Sequence, residues 1–161
     1  MTRYQMRQDL YHLGDDYTIR DATGNPRYFV DGRALSIGAK LSFQDMNGRE
    51  LLWIEQKLFH WGKTFEIERD GKVVALVRKK PFTLFKARFT IDVPGPDDLE
   101  AEGNLLDHEY VFTRHGARVA EVSKRWFDLG DQYGIEIADG EDDVLLLAAA
   151  VVIDQTCHEK R

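Results

Sequence analysis

The chain has 161 residues, 43% hydrophobic and 31% charged, with 22 Lys and Arg against 28 Asp and Glu and a formal net charge of −6. That length suits one domain with a real core, and the mix of apolar and charged residues excludes a disordered polymer. The negative balance argues against a nucleic-acid backbone as the main partner, and a single Cys excludes an internal disulfide framework.

The opening residues, Met1 to Gln8, hold no apolar stretch of the kind a secretion signal needs, so the expected location is cytoplasmic. Tyr4 and Met6 alternate with polar residues and predict a first strand. An apolar-x-apolar triplet then recurs: Tyr17/Ile19, Leu41/Phe43, Phe65/Ile67, Phe89/Ile91, Tyr110/Phe112 and Tyr133/Ile135, at spacings of 24, 24, 24, 21 and 23 residues. Alternation with period two puts one side chain in and the next out, so each triplet marks a half-buried strand. Turn residues follow most copies: Asp21 with Gly24, Asp45 with Asn47-Gly48, Asp70-Gly71, and Gly116. A returning run comes next, at Tyr28/Val30, Leu52/Ile54, Val74/Leu76, and Val119 with Val122, so each unit reads as a hairpin. Pro94-Gly95-Pro96 lengthens the turn of the fourth unit. Before most triplets stands a corner motif of apolar pair, polar step and Gly. Its copies are Leu10–Gly14, Leu35–Gly38, Leu58–Gly62, Pro81–Phe85 and Trp126–Gly130.

One strand, five hairpins and a last strand at Tyr133–Ile137 make twelve, which predicts an up-and-down meander closed on itself to remove its edges. The acidic run Asp139, Glu141, Asp142, Asp143 then leads into Val144–Ile153, ten residues with no polar side chain. Acidic residues suit a helix N-terminus, and a helix apolar on every side must be buried on every side. At roughly 15 Å it is too short to span a membrane, and a barrel of twelve strands has room for it inside. The fold class is therefore mainly β: a closed twelve-stranded antiparallel barrel enclosing a C-terminal hydrophobic α-helix. The domain is expected to cover 1–154, followed by a polar tail over 155–161 that carries Cys157.

This arrangement resembles the tubby C-terminal-like superfamily, and more narrowly its LURP-one-related branch. The likeness is carried by Leu13–Ile19, Leu41–Asp45, Phe89–Gly95 and Ala138–Asp143, and extends over about Tyr4 to Asp154. The resemblance implies a helix-in-barrel fold. Across the superfamily it implies phosphoinositide binding and transcriptional roles in tubby proteins, lipid movement in scramblases, and defence-related roles in plants. The chain lacks the Pro-rich N-terminal region and Cys-rich lipidation segment of scramblases, and none of tubby's basic ligand-binding residues aligns with a named position here.

Catalytic patterns are missing from the sequence. No nucleotide-cradling glycine loop and no Gly-x-Ser-x-Gly elbow is present. Ser36, Ser42 and Ser123 fall within the repeat and read as core or turn residues. His12, His60, His108, His115 and His158 form no paired ligand spacing. The acidic run lacks the spacing of a Ca²⁺ loop, and helix capping explains it more simply. No enzyme activity, cofactor or metal is expected.

One segment exceeds its background. Arg78-Lys79-Lys80-Pro81-Phe82-Thr83-Leu84-Phe85-Lys86-Ala87-Arg88 places five basic residues in eleven positions, where the chain's average of 22 in 161 gives about 1.5. Basic residues around aromatic wedges suit the headgroup layer of an anionic membrane. The candidate lipid-binding set is Arg78, Lys79, Lys80, Phe82, Phe85, Lys86 and Arg88, with weaker echoes at Lys57–Trp61 and Lys124–Phe127. The plainer reading makes the aromatics a plug for the barrel end and the charges a solvated rim. The leading expectation is a non-enzymatic binding or scaffold protein, peripheral at a membrane or touching a protein partner, with no nucleic acid and no transmembrane span. The alternatives are a carrier of a small apolar ligand, which the helix would displace from the barrel, and a protein-interaction module without lipid binding.

Overall fold

A computed structural model describes residues 1–9, 16–33, 40–59, 62–80, 88–126 and 132–157. Twelve antiparallel strands close into one barrel: β1 (Thr2–Asp9), β2 (Asp16–Asp21), β3 (Pro26–Arg33), β4 (Lys40–Asp45), β5 (Glu50–Phe59), β6 (Gly62–Arg69), β7 (Lys72–Lys79), β8 (Arg88–Asp92), β9 (Leu99–Asn104), β10 (Glu109–Arg114), β11 (Ala117–Ser123) and β12 (Gln132–Ile137). Each strand pairs with its sequence neighbours, and β1 pairs with β12 to close the ring, matching Tyr4 with Ile135 and Met6 with Tyr133. The chain then enters α1 (Asp143–Cys157), whose residues Leu145 to Gln155 are all buried. The expected barrel and its enclosed helix are both present.

The triplets face this helix. Every second-position residue, Ile19, Phe43, Ile67, Ile91, Phe112 and Ile135, is fully buried, and every first-position residue is at most 3% exposed. Register shifts recur just beyond the triplet, at Ile19/Arg20, Phe43/Gln44, Ile67/Glu68 and Phe112/Thr113. Each inserts an extra residue into the returning strand, which bends and twists the ladder as barrel closure requires. Such a bulge explains why Val119 and Val122 are both buried although three residues apart. The β7 face expected from Val74/Leu76 is corrected: Phe65 pairs with Val77 and Ile67 with Ala75, so Ala75 and Val77 point inward and Leu76 lies on the outer wall, while Val74, the extra residue of the bulge, packs half-buried against the core.

Turns follow the chemistry of their residues. Asp70 and Gly71 both have positive φ (52° and 79°), the conformation a two-residue hairpin turn demands. The longer turns repeat one device: Asp21 Oδ1 accepts from the Thr23 and Asn25 amides, and Asp45 Oδ1 accepts from the Asn47 and Arg49 amides. Thr23 also donates its hydroxyl to Asp21, and this bond leads the effects that hold the Asp21 carboxyl below the usual range.

Helix direction defines two ends of the barrel. The helix N-terminus sits among the hairpin turns, where Asp142 Oδ1 accepts from the Leu145 amide at 3.2 Å and caps the first turn. At the opposite end emerge the helix C-terminus and the facing strand ends Asp9/Asp16, Arg33/Lys40, Phe59/Gly62, Lys79/Phe89, Asn104/Glu109 and Ser123/Gly134. This corner end is where the sequence's corner motifs connect. Most of those motifs lie outside the described residues, at 10–15, 34–39, 60–61, 81–87 and 127–131. The helix runs to Cys157, past the end expected at Ile153, because the residue after the apolar run, Asp154, finds partners inside the barrel.

Two substitutions test this architecture. Leu146 is 1% exposed on the axis, so Leu146→Asp would place an unpaired charge among apolar side chains, and circular dichroism should show no cooperative melt. Gly103 has φ +141°, and a Cβ there would stand 2.8 Å from the Glu109 carbonyl oxygen and the Tyr110 Cα. Because those are backbone atoms of the paired strand, Gly103→Ala should cost about 1–3 kcal/mol in urea unfolding.

Candidate functional site

The described part of the basic segment ends β7 and begins β8. Arg78, Lys80 and Arg88 lie on the outer wall and each meets a carboxylate of another strand, Arg78 and Arg88 on the adjoining one and Lys80 reaching past β8 to β9. Arg78 pairs with Asp92, Lys80 Nζ lies 3.2 Å from Glu100 Oε1, and Arg88 Nη2 lies 3.0 Å from Glu102 Oε1. The cations that cluster in sequence are thus interleaved with acids in space. All three are about 40% exposed, and pairs this open to water contribute roughly 0–1 kcal/mol each. Lys79 differs: it is exposed at the corner end and makes no ion pair among the described residues. Phe82, Phe85 and Lys86 lie outside the described residues.

Of the weaker echoes, Lys57, Arg125 and Trp126 are held in contacts along the wall, Lys124 is exposed, and His60, Trp61 and Phe127 lie outside the described residues. Arg125 Nη2 lies 3.0 Å from Glu121, and the Arg3 guanidinium stacks 4.6 Å above the Trp126 ring. Lys57 Nζ stands 3.5 Å from Glu55. The acidic run is likewise engaged. Arg114 donates to both Glu141 oxygens at 2.8 Å, Arg69 pairs with Asp142 at 2.9 Å, and the Tyr4 hydroxyl donates to Asp143 at 2.7 Å. Burial, reinforced by that bond to a carboxylate, pushes the Tyr4 phenol well above its usual range. Among the described residues no group of three or more His, Cys, Asp or Glu side chains is placed to hold a metal ion. Ser42 donates to Glu50 and Ser123 to Glu109, so both buried hydroxyls are structural.

Sequence reasoning missed a polar cluster at the helix C-terminus. Asp154 is 5% exposed; Tyr17 donates to its Oδ2 at 2.7 Å, and His108 Nε2 lies 2.5 Å from its Oδ1. His108 sits in the β9–β10 turn with φ +54°, an uncommon conformation for a non-glycine residue, and its ring stacks on Tyr133 at 4.1 Å. The hydroxyls of Tyr110 and Tyr133 are buried without a hydrogen-bond partner among the described residues. Burial first, and the Asp154 charge second, push both phenols well above their usual range. Cys157, expected in the polar tail, stands instead half-buried on the last helical turn. Burial pushes its thiol up, against the opposing charge of Lys79, so it is not a ready thiolate. Nothing in the spacing of the scattered histidines singled out His108. The available signal was Tyr at three of six first-triplet positions where Leu or Phe fills the others.

No helix among the described residues is long and apolar enough to cross a membrane. The outer wall carries Arg3, Glu55, Glu66, Arg78 and Glu136 while the interior is apolar, the inverse of a barrel that crosses with its strands. The fold thus defines a closed barrel whose interior is occupied by its own helix. The family model for LURP-one-related proteins matches residues 2–154. YxjI of Bacillus subtilis (strain 168), an uncharacterised protein, is 33% identical over 153 residues, covering 95% of this chain and 92% of its own length. The chain belongs to the LURP-one-related family.

The Tyr17 hydroxyl serves a buried carboxylate, and hydrogen bonds to charged groups contribute about 1.5–3 kcal/mol. Tyr17→Phe should lower unfolding free energy by that amount in urea titrations. Arg78→Ala, which breaks only an exposed pair, should stay within about 1 kcal/mol of the parent.

Proposed function

We propose that this chain is a non-enzymatic binding protein of the cytoplasm that docks its corner end on anionic phospholipid headgroups at a membrane surface. The observation that carries the reading is the gathering of the strand connections at one end, with Lys79 exposed there, while the acidic run occupies the other. The end away from the acidic run is the one this reading presents to a negative surface. Lys80 and Arg88 hold their carboxylates through weak, half-exposed pairs, which a phosphate oxygen can displace or bridge. Phe82, Phe85 and Lys86 of the same segment supply apolar wedges and a further cation. Arg78 contributes least, since its Asp92 partner lies across the strand toward the turn end. Transport of an apolar ligand inside the barrel loses support because Leu145 to Gln155 occupy the axis.

Vesicle flotation tests this. The protein should float with phosphatidylserine- or phosphoinositide-containing vesicles at low salt, ignore phosphatidylcholine vesicles, and dissociate as salt rises. Each basic residue near such a surface contributes about 1 kcal/mol, so Lys79→Glu with Lys80→Glu should weaken binding by at least about thirtyfold with the melting curve unchanged. Absence of flotation at low salt, or binding unaffected by the double change, would exclude this surface.

A further inference from the structure

Among the corner connections, the β9–β10 turn, Leu105–His108, is described along its whole length. Its backbone is held from several sides. Leu105 is buried beneath it, Asn104 Nδ2 donates to Asp107 Oδ2 at 2.8 Å, the His108 amide donates to the Leu105 carbonyl at 3.4 Å, and the His108 ring meets Asp154 of the helix. Leu106 stands between these anchors and is 63% exposed. Of the large hydrophobic residues exposed among the described residues, Met1, Met46 and Val73 lie at the turn end of the barrel, and Leu106 alone lies at the corner end.

Cations stand on both flanks of this tip. β9, which leads into the turn, carries Glu100 and Glu102, and these hold Lys80 and Arg88. Glu109, which opens β10, faces Asn104 across the turn and accepts from the Ser123 hydroxyl and the Lys124 amide. The end of β11 thereby brings exposed Lys124 to the other flank, with Arg125 Nε 3.8 Å from Glu109. The basic segment and its echo at Lys124–Phe127, distant in sequence, thus border one apolar side chain. The carboxylates that gather these cations also offset their charge, so electrostatics alone hold such a rim weakly, and salt weakens the hold further. An apolar tip supplies attraction that no carboxylate offsets.

We propose that Leu106 is the apolar anchor of the corner end, entering the boundary between headgroups and acyl chains of an anionic membrane while Lys80, Arg88, Lys124 and Arg125 meet the phosphates around it. It rests on the headgroup-docking reading and names the residue that penetrates. The turn is ordered before contact, so little conformational freedom is lost when its tip is buried. Asp107, the acidic neighbour, is turned back onto Asn104.

Phosphatidylserine vesicles and the full chain provide the test. Leu106→Ser should weaken binding at least about tenfold, with the melting curve unchanged because the side chain is exposed. That factor should be the same at low and raised salt, whereas the effect of Lys79→Glu with Lys80→Glu should shrink as salt rises. Leu106→Phe should retain binding. In a Cys157→Ser background, an environment-sensitive fluorophore attached through Leu106→Cys should shift to shorter wavelength when vesicles are added, and the same label attached through Val73→Cys should not. If the parent protein does not float at low salt, the docking reading falls and the anchor with it. If the parent floats while Leu106→Ser floats equally well, or while the label at position 106 stays in water, the anchor alone is overturned.

Discussion

Everything in this molecule depends on keeping water away from the Val144–Ile153 segment. Its residues from Leu145 onward are buried on every side, which no surface helix can achieve. Only an enclosing wall satisfies it, and a closed ring of antiparallel strands does so while leaving no unpaired edge. The dependence is mutual. A twelve-stranded barrel filled only by its own inward side chains would retain interior space, and the helix occupies that space. Wall and axis therefore form one cooperative core.

A helix on the axis also gives the barrel polarity. Its start is fastened by the Asp142 cap and by ion pairs from Arg69 and Arg114 in the hairpin turns. Its finish is fastened differently, by one carboxylate, Asp154, held inside the wall by Tyr17 and His108. The acidic run Asp139, Glu141, Asp142 and Asp143 lies at the first end. The connections that carry the basic and aromatic residues of 78–88 leave the strands at the second. Two ends that are fastened by different means thus arise from one chain direction, and the headgroup-docking proposal concerns the second.

The strands were legible because period-two alternation repeats at near-constant spacing, and the helix because ten consecutive apolar residues have one place to go. Turn types were legible where local chemistry suffices, as at Asp70-Gly71. Pairing was harder. The inward face of β7 depends on the bulge at Ile67/Glu68, and a bulge is set by strand register rather than by the residues themselves. The basic cluster shows the same limit. Arg78, Lys80 and Arg88 look unopposed along the chain, while their partners Asp92, Glu100 and Glu102 come from β8 and β9.

By itself the sequence determined the repeat, the number of strands, the buried helix and the family, since these follow from local periodicity and from hydrophobic burial summed over many residues. Only the tertiary structure decided which charges neutralise one another and that His108 reaches Asp154, 46 positions away, because closing the barrel brings the β9–β10 turn onto the helix end. Electrostatic and hydrogen-bonding contacts act over a few ångströms, so they depend on where the closed wall places each side chain rather than on its place along the chain.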